Sequence, residues 1–278
     1  MINETLYIKS RDVNLFTTIK GNEDSKNVIV ILHGGPGSGA QPLIEHESFK
    51  KLEEDFIVVY FDQRGSGKSE YNLENKLLLE DITFDVHTIV EYAKNRFKDK
   101  DIFLWGGSFG GALGFLYLRY YPNEVKKYIA NCPVVTFDDE SIDTFVDNRK
   151  KYYIERLSEH IKPEFFEGFD SGEELFNDAN VRKFIYSEKC TSKGLKHVCA
   201  MADWFLKLQY KEDFKNISIP VMIIQGKDDN ICSYENILKG YNEFKNEYIT
   251  FKAYENCGHS VFDDRKDIFV EDIKGFFI

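Results

Sequence analysis

The sequence holds no C-x-x-C pair, no long apolar run and no surplus of positive charge. Its five cysteines, Cys132, Cys190, Cys199, Cys232 and Cys257, stand apart. The close spacing His197-Val-Cys199 has no second half, so neither a metal nor another cofactor is expected. No stretch approaches the roughly 18 apolar residues that a membrane helix needs. The first residues, MINETLYIKSRDVN, lack a basic stretch followed by an apolar one, so a reduced, cytoplasmic protein is expected. The charge balance, 36 − 47 = −11, argues against nucleic acid or an anionic membrane as partner. Repeats, linkers and low-complexity tracts are absent as well.

What is present suits a folded enzyme-sized domain. The chain has 278 residues, 42% hydrophobic and 30% charged, long enough to bury a sizeable core, and its 15% aromatics are generous. TLYIKS and VNLFTTIK read as an antiparallel hairpin at one sheet edge. NVIVILHG and DFIVVYFD are apolar almost throughout, as strands covered on both faces are, and DIFLWGGS, KKYIANCP, VMIIQG and ITFKAY read as further strands. Between them lie helical periodicities, with Ile82, Val86, Ile89, Val90 and Tyr92 or Ala93 on one face of the first long helix. The alternation lapses from 134 to 215, which predicts a helical insertion, a cap, between core segments 1–133 and 216–278. The fold class is α/β, a mostly parallel eight-stranded sheet flanked by helices.

The stretch DQRGSGKS, residues 62 to 69, imitates the tail of a phosphate-binding loop. Counting back five from Gly67 lands on Asp62, a carboxylate where that loop needs bare backbone, and no capped helix follows Lys68. Gly35 to Ala40 also fits G-x-G-x-x-A, yet Pro36 removes an amide and no helix start is evident. Neither nucleotide reading is retained.

Gly106-Gly107-Ser108-Phe109-Gly110 fits G-x-S-x-G between an apolar strand and a helix rich in small residues. So sharp a turn lifts the serine hydroxyl off the sheet edge and brings a helix N-terminus beneath it. A serine hydroxyl needs a base, and the base an acid to hold its tautomer. Asp229, chosen over its neighbour Asp228, follows VMIIQG, and His259 follows ITFKAY, both at the edge where a site is built. HGGPG, residues 33 to 37, ends an earlier strand; its Gly35 and the residue after the serine, Phe109, are the expected oxyanion donors. His46, His87, His160 and His197 are read as surface or ordinary packing.

HGGPG, DQRGSGKS and GGSFGG in that order, followed by GKDD and CGH, resemble the α/β-hydrolase fold, and within it the serine peptidases of the proline iminopeptidase family. The resemblance covers the sheet segments, 1–133 and 216–278. It implies that Ser108 attacks a carbonyl, His259 shuttles the proton, Asp229 orients His259, and DQRGSGKS is a structural turn beside the oxyanion loop. It further implies removal of an N-terminal residue, often proline, from short peptides, with cap glutamates holding the free amine. Glu155, Glu159, Glu164, Glu167, Glu173, Glu174 and Glu188 supply the acids, and Phe137, Tyr152, Tyr153, Trp204 and Phe205 the aromatic lining; of these, Glu155, Glu188 and Trp204 are the substrate-binding candidates. A carboxylesterase or amidase is the alternative, and a non-catalytic binding relative a third. A serine at the elbow disfavours dehalogenase and epoxide hydrolase chemistry, which needs a carboxylate nucleophile.

Overall fold

The computed structural model describes residues 1–145, 147, 172–205 and 207–278. Eight strands form one sheet: β1 (Ile2–Ser10), β2 (Val13–Gly21), β3 (Asn27–Leu32), β4 (Ile57–Phe61), β5 (Asp101–Gly107), β6 (Lys127–Asn131), β7 (Val221–Gly226) and β8 (Ile249–Tyr254). Their spatial order is β1-β2-β4-β3-β5-β6-β7-β8. β1 and β2 form the expected hairpin, β2 is antiparallel to β4, and every other pairing is parallel. The order reverses at β3: the chain leaves to β4 on one side and later returns to β5 on the other. Loops after β3 and β5 therefore part at the carboxyl edge and leave a crevice there, the usual location of a site in an open α/β sheet.

The central strands alternate their side chains between two apolar layers. Val28, Val30, Leu32 and Leu104 face the helices α3 (Leu79–Arg96) and α4 (Phe109–Tyr120). Ile29, Ile31, Phe103 and Trp105 face α2 (Glu47–Glu53) and the final helix Lys266–Phe277. Along α3 the buried face is Ile82, Val86, Ile89, Val90 and Ala93, with Glu80 and Asp81 at its positive end and Lys94 and Arg96 at its negative end.

The DQRGSGKS turn is the structural element that the sequence led us to expect. Asp62 spends its carboxylate inside the protein: Oδ1 accepts from Ala40 N at 2.7 Å and Oδ2 from Lys68 N at 2.8 Å. A phosphate would need those same N–H groups. Arg64 is buried and reaches Asp85 on α3 through two bonds, Nε to Oδ2 at 2.6 Å and Nη2 to Oδ1 at 2.8 Å. Ser10 donates a third bond to Asp85, at 2.6 Å, so sheet edge, turn and helix are tied at one buried ion pair.

One expectation is corrected. A helix does begin after HGGPG, α1 (Gln41–Glu45), although it is one turn long and no side chain caps it. Of the two readings open for His197, surface or ordinary packing, the structure shows packing: it is buried. Its Nδ1 donates to Lys193 O at 2.8 Å, and its Nε2 lies 3.4 Å from Ser66 Oγ and 3.2 Å from Arg64 O. It therefore pins the helix Lys193–Ala200 onto the DQRGSGKS turn, and burial pushes its pKa down. Between β6 and β7 the described residues hold short helices and no strand. No helix among the described residues is long and apolar enough to cross a membrane.

The buried pair sets a prediction. Asp85→Ala removes both short bonds to the buried Arg64 guanidinium, leaving it the longer contacts to Asp12 at 3.3 Å and Asp81 at 3.9 Å, and should destabilise the protein by about 3 kcal/mol in urea unfolding. Lys68→Ala, at the exposed end of the same turn and resting on the Phe16 ring at 4.4 Å, should change it by less than about 1 kcal/mol. A phosphate-loop role would reverse the emphasis, with Lys68 controlling nucleotide binding.

Candidate active site

Ser108 occupies the turn from β5 into α4 with φ 55° and ψ −120°, a left-handed backbone that a residue with a side chain adopts only when its surroundings impose it. The flanking glycines impose it. A Cβ on Gly110 would fall 2.0 Å from Leu32 O, and one on Gly106 would fall 2.3 Å from Gly110 O. Strand β5 and helix α4 thus approach each other and β3 more closely than any side chain permits. Ser108 N donates to Asn131 O at 2.9 Å, which anchors the turn to β6.

The structure resolves the choice between adjacent carboxylates. Asp228 is exposed, whereas Asp229 is buried and accepts His259 Nδ1 at 2.8 Å through Oδ2. The same oxygen accepts Gln225 Nε2 at 2.9 Å, and Oδ1 accepts Ile231 N at 2.8 Å and Cys232 N at 2.9 Å. Burial alone would raise the Asp229 pKa. The bond and charge of His259, with the two backbone donors, outweigh it and hold the carboxyl below its ordinary range. An ionised Asp229 keeps the proton of His259 on Nδ1 and leaves Nε2 as the basic nitrogen.

Ser108, His259 and the oxyanion loop line one cleft of roughly 260 Å³, together with Trp105, Asn131, Pro42, Leu43 and Phe262. No hydrogen bond joins Ser108 Oγ to His259 among the described residues; such contacts commonly tighten only around a bound substrate. A somewhat larger cavity, about 310 Å³, lies between α4 and the helix Lys211–Asn216 and includes none of these residues.

His33 governs the oxyanion loop. Gln63 N donates to its Nε2 at 3.0 Å, so the ring proton must sit on Nδ1, which donates to Gly34 O at 2.8 Å. That bond fixes the plane of the peptide that carries the Gly35 N–H. Gly34 itself packs against Ser108: a Cβ there would lie 3.1 Å from the serine Cβ. Phe109 N opens α4, beside Ser108. The two expected oxyanion donors are therefore brought to the same edge as the serine.

Of the substrate-binding candidates, Glu188 and Trp204 do not line the cleft, and Glu155 lies outside the described residues. Phe137 packs in the core against Phe214 and Phe244, with ring centroids 4.9 and 5.8 Å away. Trp204 donates Nε1 to Leu77 O at 2.6 Å, and Glu188 is exposed. Phe205 does approach, edge-on to Phe109 at 5.4 Å. Tyr152, Tyr153, Glu155, Glu159, Glu164 and Glu167 lie outside the described residues. Conversely, no motif points to Asn131 or Trp105, two buried cleft residues whose Oδ1 and Nε1 have no protein partner.

A serine at a strained strand-to-helix elbow and an Asp–His pair bordering its cleft define a hydrolase of the α/β-hydrolase fold. The chain belongs to the serine aminopeptidase family S33, whose model matches residues 23–266. It is 25% identical over 285 residues to the proline iminopeptidase PfmaB of Pestalotiopsis fici, covering 96% of this chain and 97% of that protein. A local match to the proline iminopeptidase of Thermoplasma volcanium reaches 30% identity over 123 residues, 44% of this chain and 40% of that protein. The crystal structure of a Mycobacterium smegmatis proline iminopeptidase superposes with a TM-score of 0.70 at 13% identity, covering 99% of this chain and 97% of that one. Carboxylesterase CesB of Bacillus subtilis gives 0.68 at 16% identity, over 99% and 92%.

Burial lowers the His33 pKa from 6.5 to about 4. Between those values the unfolded chain binds a proton that the folded one does not, so stability rises with pH across the window. Wild type should lose up to about 3 kcal/mol from this group on acidification from pH 6.5 to 4. His33→Gln should remove that part of the slope, seen by comparing urea midpoints of the two proteins at pH 7 and pH 4.5.

Proposed function

We propose that the protein is a serine hydrolase working through an acyl-enzyme, with release of an N-terminal proline or another small apolar residue from short peptides as its leading activity. The observation that carries the reading is the His259–Asp229 bond at the border of the cleft that also holds Ser108. In this account the Ser108 hydroxyl attacks the carbonyl carbon while His259 Nε2 takes its proton. Asp229 steadies the imidazolium that results. The oxyanion forms against the N–H groups of Gly35 and Phe109, the latter at the positive end of α4. His259 then returns the proton to the departing amine, and a water molecule, activated by the same imidazole, releases the acyl group.

The peptidase assignment draws on the family and on the near full-length likeness to a proline iminopeptidase. Residues 134–215 are proposed to cap the cleft and to set specificity. One observation favours a second reading: among the described residues the cleft is lined by no carboxylate, and a free amine is held best by one. A neutral ester or amide substrate would need none.

Prolyl, alanyl and leucyl arylamides, their N-acetylated forms and a nitrophenyl ester separate the readings. An aminopeptidase cleaves the free-amine arylamides and loses them on acetylation; an esterase cleaves the ester whatever the amine carries. In either case Ser108→Ala should lower kcat by about 10⁴-fold or more, and Asp229→Asn by about 10³–10⁴-fold. Undiminished turnover in Ser108→Ala would remove the serine from the mechanism.

A further inference from the structure

Cys132 ends β6 at the inner side of the Asp–His pair, and the mechanism gives it no task. It is fully buried, its backbone is held at φ 44°, and its N–H donates to Ile224 O at 2.7 Å. Cys132, Asp229 and His259 each offer one ligand atom, and the three atoms lie within 4.8 Å of one another. Thiolate, imidazole and carboxylate together form a donor set suited to zinc and to softer divalent ions, and unsuited to magnesium or calcium. Around a tetrahedral ion with bonds of about 2.0–2.3 Å, ligand atoms stand about 3.3–3.8 Å apart. The set reaches that geometry if the 2.8 Å contact between His259 Nδ1 and Asp229 Oδ2 opens and the wider separations, up to 4.8 Å, close around the ion, each by about 1 Å or less. His259 is partly exposed at the cleft, with 21% of its side chain accessible, so its edge is the route inward.

We propose that Cys132, Asp229 and His259 form a site for a thiophilic divalent cation, Zn²⁺ or Cd²⁺, whose occupancy switches the hydrolase off. On binding, the Cys132 S–H bond breaks, its proton passes to solvent, and the sulfur electron pair forms the bond to the metal. His259 binds through Nδ1, so its ring proton moves to Nε2. The nitrogen that would accept the Ser108 proton then carries one itself. Asp229 at the same time exchanges its bond to the ring for the ion, and the base is lost without any change at the serine.

The inhibitory part rests on the proposed triad, but binding can be read without turnover. The full chain would be titrated with Cd²⁺ in a non-chelating buffer while the ultraviolet thiolate-to-metal absorption is followed, and Zn²⁺, Cd²⁺ and Mg²⁺ would be tested as inhibitors. The expected result is a band that saturates at one equivalent, inhibition by Zn²⁺ and Cd²⁺ but not Mg²⁺, and recovery with EDTA. Cys132→Ser and Cys132→Gly, the latter suited to the left-handed backbone, should abolish the band and raise the half-inhibitory concentration by about tenfold or more. Cys190→Ser should change neither. Absence of the band in wild type, or its persistence in both Cys132 variants, overturns the site. A saturating band in a protein that hydrolyses nothing would retain the site and sink the triad reading instead.

Discussion

The close approach of β3, β5 and α4 around Ser108 is the constraint on which the rest of the site depends. Two glycines permit it, because a methyl group at Gly106 or Gly110 would sit 2.3 or 2.0 Å from a backbone oxygen, far inside contact distance. Once the three elements are that close, the serine is forced into a left-handed backbone and stands at the carboxyl edge of the sheet. The same closeness presses Gly34 onto the serine, and with it the loop that carries the Gly35 N–H. Strain at one residue is thereby exchanged for position at several.

Around that point three buried carboxylates sit in well-bonded sets. Asp62 satisfies the N–H groups of Ala40 and Lys68, Asp85 takes Arg64 and Ser10, and Asp229 fills both oxygens with four donors. At Asp229 the donors outweigh burial and hold the carboxyl below its ordinary range, which keeps it ionised. His33 follows the same logic with the opposite sign: burial keeps it neutral, so that one nitrogen can accept from Gln63 while the other donates to Gly34. The oxyanion loop is therefore tied to the DQRGSGKS turn by hydrogen bonds that require one tautomer.

Much of this was legible from the residues in order. The central strands, buried on both faces, announce themselves as apolar runs, and the motifs could be placed at their carboxyl ends; the edge strands β1 and β8, exposed on one face, were read from their neighbours in the order. Spacing ruled out the phosphate loop, and the Asp62 carboxylate shows why: it occupies the very amides that such a loop would offer. What escaped are residues whose surroundings come from far along the chain. His197 could be read only as surface or ordinary packing because nothing local reveals that it meets Arg64 and Ser66. Phe137 was placed in a pocket by composition, yet its partners Phe214 and Phe244 belong to later helices. Cys132 and Asn131 carry no motif, and only the pairing of β6 beside β5 and β7 brings them to the site.

The central claim is that His259 and Asp229 activate Ser108 as a nucleophile. Treatment of the folded protein with a fluorophosphonate, followed by peptide mass spectrometry, tests it most directly, because the reagent reports activation without any assumption about the natural substrate. The account predicts a single adduct on Ser108 whose rate of formation collapses in His259→Gln. No adduct at Ser108 in the folded protein, or one that forms as fast without His259, would contradict it.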